Sequence, residues 1–174
     1  MKESSKEKEK TQRQAPNIPL SEINARMLSL GLRPSPSGFD LGYYRRLAGQ
    51  DPNIALAGLR MEFEILARNL AKGFNVPVED RDTAGTLFRK LNDHNAITIQ
   101  QFQLAQTVLK LCNAAVHGTT VTRQDADSVL DAAKVLADDY VFWLTWGFKD
   151  GWKPQTEPGH AKAEPEASPD RGGM

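Results

Sequence analysis

Little in this sequence invites covalent or metal chemistry. Cys112 is its single cysteine, which excludes an internal disulfide and any multi-cysteine zinc site. There is no glycine-rich phosphate loop and no nucleophile elbow. Twenty-two Lys and Arg are balanced by twenty-two Asp and Glu, a formal net charge of zero. Bulk electrostatics therefore gives no case for a protein that coats nucleic acid, and any such contact must come from a local patch. No apolar run approaches the ~18 residues a membrane span needs, and the charged N-terminus lacks the apolar centre of a signal peptide. No membrane association and a reducing, cytoplasmic location are expected. No internal repeat is visible.

What is present suits one soluble domain. The chain has 174 residues, 40% of them hydrophobic, enough for a core that stands without staples. Residues 1–16 are mostly Lys, Glu, Ser and Gln and cannot repay the entropy of ordering. Residues 153–174, rich in Pro, Gly, Ala and Glu, read the same way. Both are expected to be disordered tails. Between them the pattern predicts an all-α, up-and-down helical bundle at 51–152, preceded by a helical extension at 17–50.

Helix signals recur along the folded part. Ser21 is expected to cap a short helix carrying Ile23, Met27 and Leu30, stopped by Gly31. Arg33 to Asp40, with Pro34, Pro36 and Gly38, reads as a loop, and a shorter helical stretch follows around Leu41 to Leu47. Asp51-Pro52 is a strong start, a capping residue followed by proline at the first helical position. Behind it Leu59, Phe63, Leu66 and Leu70 form one apolar face. Arg60, Glu64 and Arg68 run down another at four-residue spacing, which suits surface ion pairs. Asp82 is expected to cap the next helix, with Leu87 and Leu91 inward and an end near Asn92 to Asn95. Thr98 opens a helix whose core stripe is read as Phe102, Ala105, Leu109, Cys112 and Val116. Thr122 and Asp125 resemble a capping box and open the last helix, with Val129, Ala133, Leu136, Tyr140 and Trp143 inward.

Opposite the core stripe of the Thr98 helix lies a second, polar one. Gln103, Gln106, Lys110, Asn113 and His117 recur at three-four-three-four spacing. Lys110 precedes His117 by two turns, about 10 Å along the axis, with Asn113 between them. Such a trio suits a phosphodiester, with Lys for charge, Asn for orientation and His for proton transfer near neutral pH. The bland account is equally physical. A histidine in a last turn is favoured by the helix dipole, Gly118 is an ordinary stop, and exposed glutamines need no function.

The run Asn113-Ala114-Ala115-Val116-His117-Gly118, followed by a capped helix, resembles the signature region of HEPN domains, and of the small bacterial HEPN-like families most closely. The resemblance covers about 51–144 and includes the earlier helix with Arg60 and Glu64. It implies a helical bundle, commonly dimeric through facing signature helices, and in active members a metal-independent endoribonuclease. The family motif is an arginine, then a polar residue, with a histidine four to six residues after the arginine. Asn113 matches the polar position and His117 the histidine, but Cys112 stands where the arginine belongs. Lys110 is one substitute, as a point charge rather than a planar fork. An arginine from elsewhere, Arg60 or Arg89, reaching the site in a folded dimer is another.

Three expectations follow. The first is a HEPN-like interaction module, non-catalytic or weakly catalytic, in an RNA-linked stress or defence setting such as a toxin–antitoxin pair, a placement that rests on the resemblance alone. The second is an endoribonuclease in which His117, Asn113 and Lys110 act on RNA. The third is an adaptor that binds a protein partner or a second copy through the aromatic end of the last helix, Tyr140, Trp143 and Trp146, unless the Ile18 to Leu47 segment folds back over them, which is the preferred account of those residues. Tyr43, Tyr44, Arg45 and Arg46 form an aromatic-basic cluster that would suit stacking on RNA, although a turn of surface helix accounts for it as well. His94 lacks helically spaced ligand partners and His160 lies in the tail, so neither a metal nor a cofactor is expected.

Overall fold

The computed structural model describes residues 18–146, with the backbone alone for Trp146, so both tails read from the sequence lie outside the described residues. Six helices and no strand occur among the described residues, an all-α bundle. They are α1 (Leu20–Ser29), α2 (Leu41–Gln50), α3 (Pro52–Gly73), α4 (Ala84–Asp93), α5 (Ile99–Val116) and α6 (Arg123–Trp146).

Most starts are fixed by side-chain caps. Asp40 accepts the Tyr43 N–H to open α2, and Asp51 accepts that of Ile54 to open α3, with Pro52 supplying a preset φ at the first position. Thr98 and Gln101 make a full capping box at α5, and Thr122 accepts the Asp125 N–H at α6. Two expected caps are corrected. α1 begins at Leu20 after Pro19 without a side-chain cap, so Ser21 lies inside its first turn. α4 is capped by Thr83, which accepts the Thr86 N–H, while Asp82 turns inward to accept the Glu79 N–H and to pair with Lys90 at 2.7 Å. A carboxylate beside a threonine is the better cap only when no cation competes for it, and Lys90 competes.

The long α3 is the hub and packs against α2, α4, α5 and α6. Leu59, Phe63, Leu66 and Leu70 are buried in one continuous core with Leu87 and Leu91 of α4, Ala105, Val108, Leu109 and Cys112 of α5, and Val129, Ala133, Leu136 and Tyr140 of α6. Burying each leucine-sized side chain is worth about 1.5–3 kcal/mol before entropy is counted. Val116 departs from its expected place: it is 45% exposed, and Ala115 is buried instead. The inward face steps by three residues from Leu109 to Cys112 and again to Ala115, which turns Val116 outward.

The N-terminal extension shares that core. Ile23 and Met27 of α1, Leu32 and Phe39 of the loop, and Tyr44 of α2 are all buried in it. Phe39 adopts a left-handed φ of 60°, costly for an aromatic residue, and its ring packs edge-on against Tyr140 at 5.2 Å. The strap is held by polar groups as well. Asn69 accepts the N–H of Arg33 and donates to its carbonyl, and Glu62 Oε1 accepts the Ser37 N–H, the Ser37 hydroxyl and the Tyr44 hydroxyl. Arg26 of α1 donates through Nε to the Leu144 carbonyl near the end of α6, at 2.9 Å.

Candidate functional site

α5 carries no Asp or Glu, while Lys110 and the amides of its outer face are polar. Gln103, Gln106, Lys110, Asn113 and His117 are all exposed, so the polar stripe expected from the sequence is a real surface. Its length from Gln103 to His117 is about 21 Å at 1.5 Å per residue. His117 is the C-cap residue of α5, with φ −84° and ψ 10°, and Gly118 follows at φ 89°. The imidazole is exposed and makes no side-chain hydrogen bond among the described residues.

Cys112, the residue at which the HEPN resemblance would want an arginine, is buried completely in the core. Burial pushes it up to about 12, against the opposing influence of the nearby Arg60 charge. A thiol held neutral in this way is neither a nucleophile nor a phosphate ligand.

Charge arrives at the stripe from α3. Arg60 donates through Nε to Asn113 Oδ1 at 2.7 Å. The amide is thereby oriented, and the terminal amines of Arg60 keep their N–H groups without a protein partner among the described residues. One of the two arginines considered from the sequence thus makes the reach, and it does so within a single chain. Arg89 is exposed on α4 and takes no part.

Beside this pair runs a groove of about 340 Å³ between α3, α5 and the start of α4. Arg60, Glu64 and Arg68 line it from α3, Leu109 and Asn113 from α5, and Asp80, Asp82 and Thr83 through Gly85 from the loop and first turn of α4. Most of its charges are internally matched. Arg68 faces Glu64 at 3.8 Å and donates to the Asp82 carbonyl, and Lys90 neutralises Asp82. The Asp82 carboxyl is held below the usual carboxylate value, chiefly by the Glu79 N–H and then by Lys90. Lys110 and His117 lie outside the groove walls, so the groove and the histidine are neighbours along α5 rather than one pocket.

One contributor escaped sequence reasoning. Asn53, in the first turn of α3, donates through Nδ2 to the carbonyls of Thr119 (2.7 Å) and Ala115 (3.3 Å), and its Oδ1 accepts the Val121 N–H (3.1 Å). A single side chain therefore holds both ends of the turn that carries His117. The only local hint is a poor helix former placed directly after Asp51-Pro52.

The other candidate clusters are dispersed by folding. Four consecutive helical residues point about 100° apart. Accordingly Tyr43 is exposed, Tyr44 is buried on Glu62, Arg45 pairs with Asp131 of α6, and Arg46 faces Asp40 at 3.9 Å. Tyr44 is thus closed to stacking by its own core contacts. The aromatic helix end is likewise covered from within the chain. Tyr140 is fully buried and receives the Asn69 N–H at 2.8 Å, and Trp143 is buried against Phe74 at 5.3 Å. Neither lies open on the surface: the 18–47 segment reaches this end through Phe39 on Tyr140 and Arg26 on the Leu144 carbonyl, the cover preferred from the sequence, and Phe74 adds to it at Trp143. The Trp146 side chain lies outside the described residues. His94 is exposed at the C-cap of α4, and no group of three or more His, Cys, Asp or Glu that could hold a metal occurs among the described residues. Among the same residues no helix is long and apolar enough to cross a membrane.

Comparison with known proteins adds no relative. No family model matches the chain, and neither a curated protein nor a solved structure matches it.

Proposed function

We propose that this chain is a HEPN-like interaction module that holds single-stranded RNA against the outer face of α5, with weak or no catalysis of its own. The observation that carries the reading is the Arg60–Asn113 hydrogen bond. It puts a permanent charge with free terminal N–H donors next to the amide of the motif, in the place that Cys112 leaves empty of charge. Arginine's planar fork matches phosphate oxygens in a bidentate way that Lys110 cannot. The remainder of the face is amides, Lys110 and an unpaired imidazole, with no carboxylate on α5 to repel a backbone. A helix face of this kind suits single strands, since the deep, narrow major groove of duplex RNA does not admit it.

A second reading, metal-independent endoribonuclease, draws on the exposed His117 one turn beyond Asn113. In it His117 would take the proton of a 2′-hydroxyl, whose oxygen attacks the adjacent phosphorus. The 5′-oxygen of the next nucleotide leaves with a proton, giving a cyclic phosphate and a 5′-hydroxyl. Arg60 and Lys110 would neutralise the developing charge. A single imidazole supplies one of the two proton transfers, so a second copy of the chain would have to bring the other. The homodimer and the stress or defence setting belong to this proposal through the resemblance alone.

The test is anisotropy of a labelled mixed-sequence RNA in EDTA, with gel analysis of the same samples. Binding that Arg60→Ala weakens about tenfold, with no cleavage product, is the expected result. Absence of binding to any RNA would sink the proposal. Multiple-turnover cleavage that His117→Ala abolishes would replace it by the second reading.

A further inference from the structure

We infer that Asn53 is the positioning residue of this site: it sets where His117 stands relative to Arg60, and acts on RNA only through that placement. The inference rests on the RNA-binding reading above for its functional consequence, and on geometry alone for its structural part.

The geometry is a grip at two points. Asn53 and Arg60 lie seven residues apart on α3, two turns and about 10.5 Å, and so on nearly the same face. Arg60 holds α5 at Asn113, four residues before His117, and Asn53 holds the chain on both sides of His117, at Ala115 and at Thr119 and Val121. Residues 116–118 between those anchors are exposed. Beyond Asn53 the turn is braced by local backbone bonds: the His117 N–H to the Asn113 carbonyl, Gly118 to Ala115 and Thr119 to Ala114. Those bonds close the helix end but do not relate it to α3. The Asn53 side chain does, and it reaches the carbonyls and the N–H with one planar amide whose donor and acceptor ends are both used. Aspartate keeps the acceptor for Val121 but sets a carboxylate oxygen against two carbonyls, and alanine removes all three bonds.

A merely structural asparagine and a positioning one are separated by a double-mutant cycle. RNA affinity is measured for the full chain and for Asn53→Ala, His117→Ala and the double variant, at a temperature where circular dichroism shows each folded. Each single change is expected to weaken binding about fivefold to tenfold, and the double variant to match His117→Ala rather than the product of the two. Unaltered affinity in folded Asn53→Ala, or additive losses, would overturn the inference. The ring signals of His117 in NMR spectra give a second readout that needs no RNA. They are expected to shift in Asn53→Ala while the Val121 amide loses its protection from hydrogen exchange. Should the unmodified chain bind no RNA, the RNA reading fails by itself, and this second readout alone then decides the placement. His117 signals that are the same with and without Asn53 would end it.

Discussion

Asn69 of α3 and Tyr140 of α6 meet inside the core, where the asparagine N–H donates to the phenol oxygen at 2.8 Å. The same amide grips both backbone groups of Arg33 in the strap, so one side chain ties three separate parts of the chain. Asn69→Ala should therefore strand the N–H and carbonyl of Arg33 together with the Tyr140 hydroxyl. The expected cost is about 2–4 kcal/mol in urea unfolding. Tyr140→Phe removes one of these bonds and keeps the ring, and should cost about 1 kcal/mol.

Gly58 looks like an easy site for a stabilising helix substitution, and it is not one. A Cβ there would stand 2.8 Å from Cε1 of Tyr44, a buried ring whose hydroxyl is committed to Glu62. Gly58→Ala gains about 1 kcal/mol in helix propensity and meets about 1–3 kcal/mol of overpacking. Thermal unfolding should show a lower midpoint. Gly58→Ala combined with Tyr44→Ala should recover part of the clash term, which a double-mutant cycle would reveal.

Placing at position 112 the arginine that the HEPN resemblance calls for, by Cys112→Arg, should fail as a gain of function. The thiol is fully buried, and a guanidinium there would be a charge in the core beside Arg60. Loss of the folded state, seen by circular dichroism, is the expected outcome. The buried thiol also makes stability sensitive to alkali. Its folded value of about 12 lies above the ordinary 9.0, so the unfolded chain gives up the proton first. The contribution is fully present below about pH 9 and is lost as pH rises toward 12. Cys112→Ala should flatten the stability–pH slope across that window even if it lowers stability overall.

Asp82 acts at the other end of the scale. Its carboxyl is held below 3.8 by the Glu79 N–H and by Lys90. Stability from this group is present above the ordinary aspartate value and is lost as pH falls through the lowered one. Asp82→Asn should remove that part of the acid-side slope, measured by urea unfolding between pH 5 and pH 2. The Glu79 amide, which donates to this carboxylate, should exchange faster at neutral pH.

The sequence made the helices readable because their signals are local. Asp51-Pro52 and Thr122 with Asp125 act within four residues, and the 3.6 period of α3 and α6 needs no knowledge of a partner. The start of α4 was misread for a tertiary reason: Asp82 and Thr83 are both good caps, and Lys90, about two helix turns on, decides between them. The candidate site was half visible for the same reason. The polar stripe of α5 follows from spacing, and Asn113 and His117 sit where the resemblance puts them. That Arg60 meets Asn113 depends on the rotation of α3 against α5, which no local pattern states, and that Asn53 braces the following turn depends on the same packing. Tyr140 was read as inward and its cover by the 18–47 segment was legible as an excess of aromatic residues around one helix end, whereas Tyr44 was grouped with its polar neighbours because its partner Glu62 lies on another helix.

The bond from Arg26 to the Leu144 carbonyl joins residues 118 apart in sequence. Among the helices, α1 lies against α6, so during synthesis the first described helix has its wall only after the last one has been made. Until then the side of α1 that meets α6 stays uncovered, and the nascent chain is a natural client for whatever shields such surfaces. Chain order and folding order are thus opposed: α3 to α5 are able to collapse locally and early, and α1 is the helix that settles late.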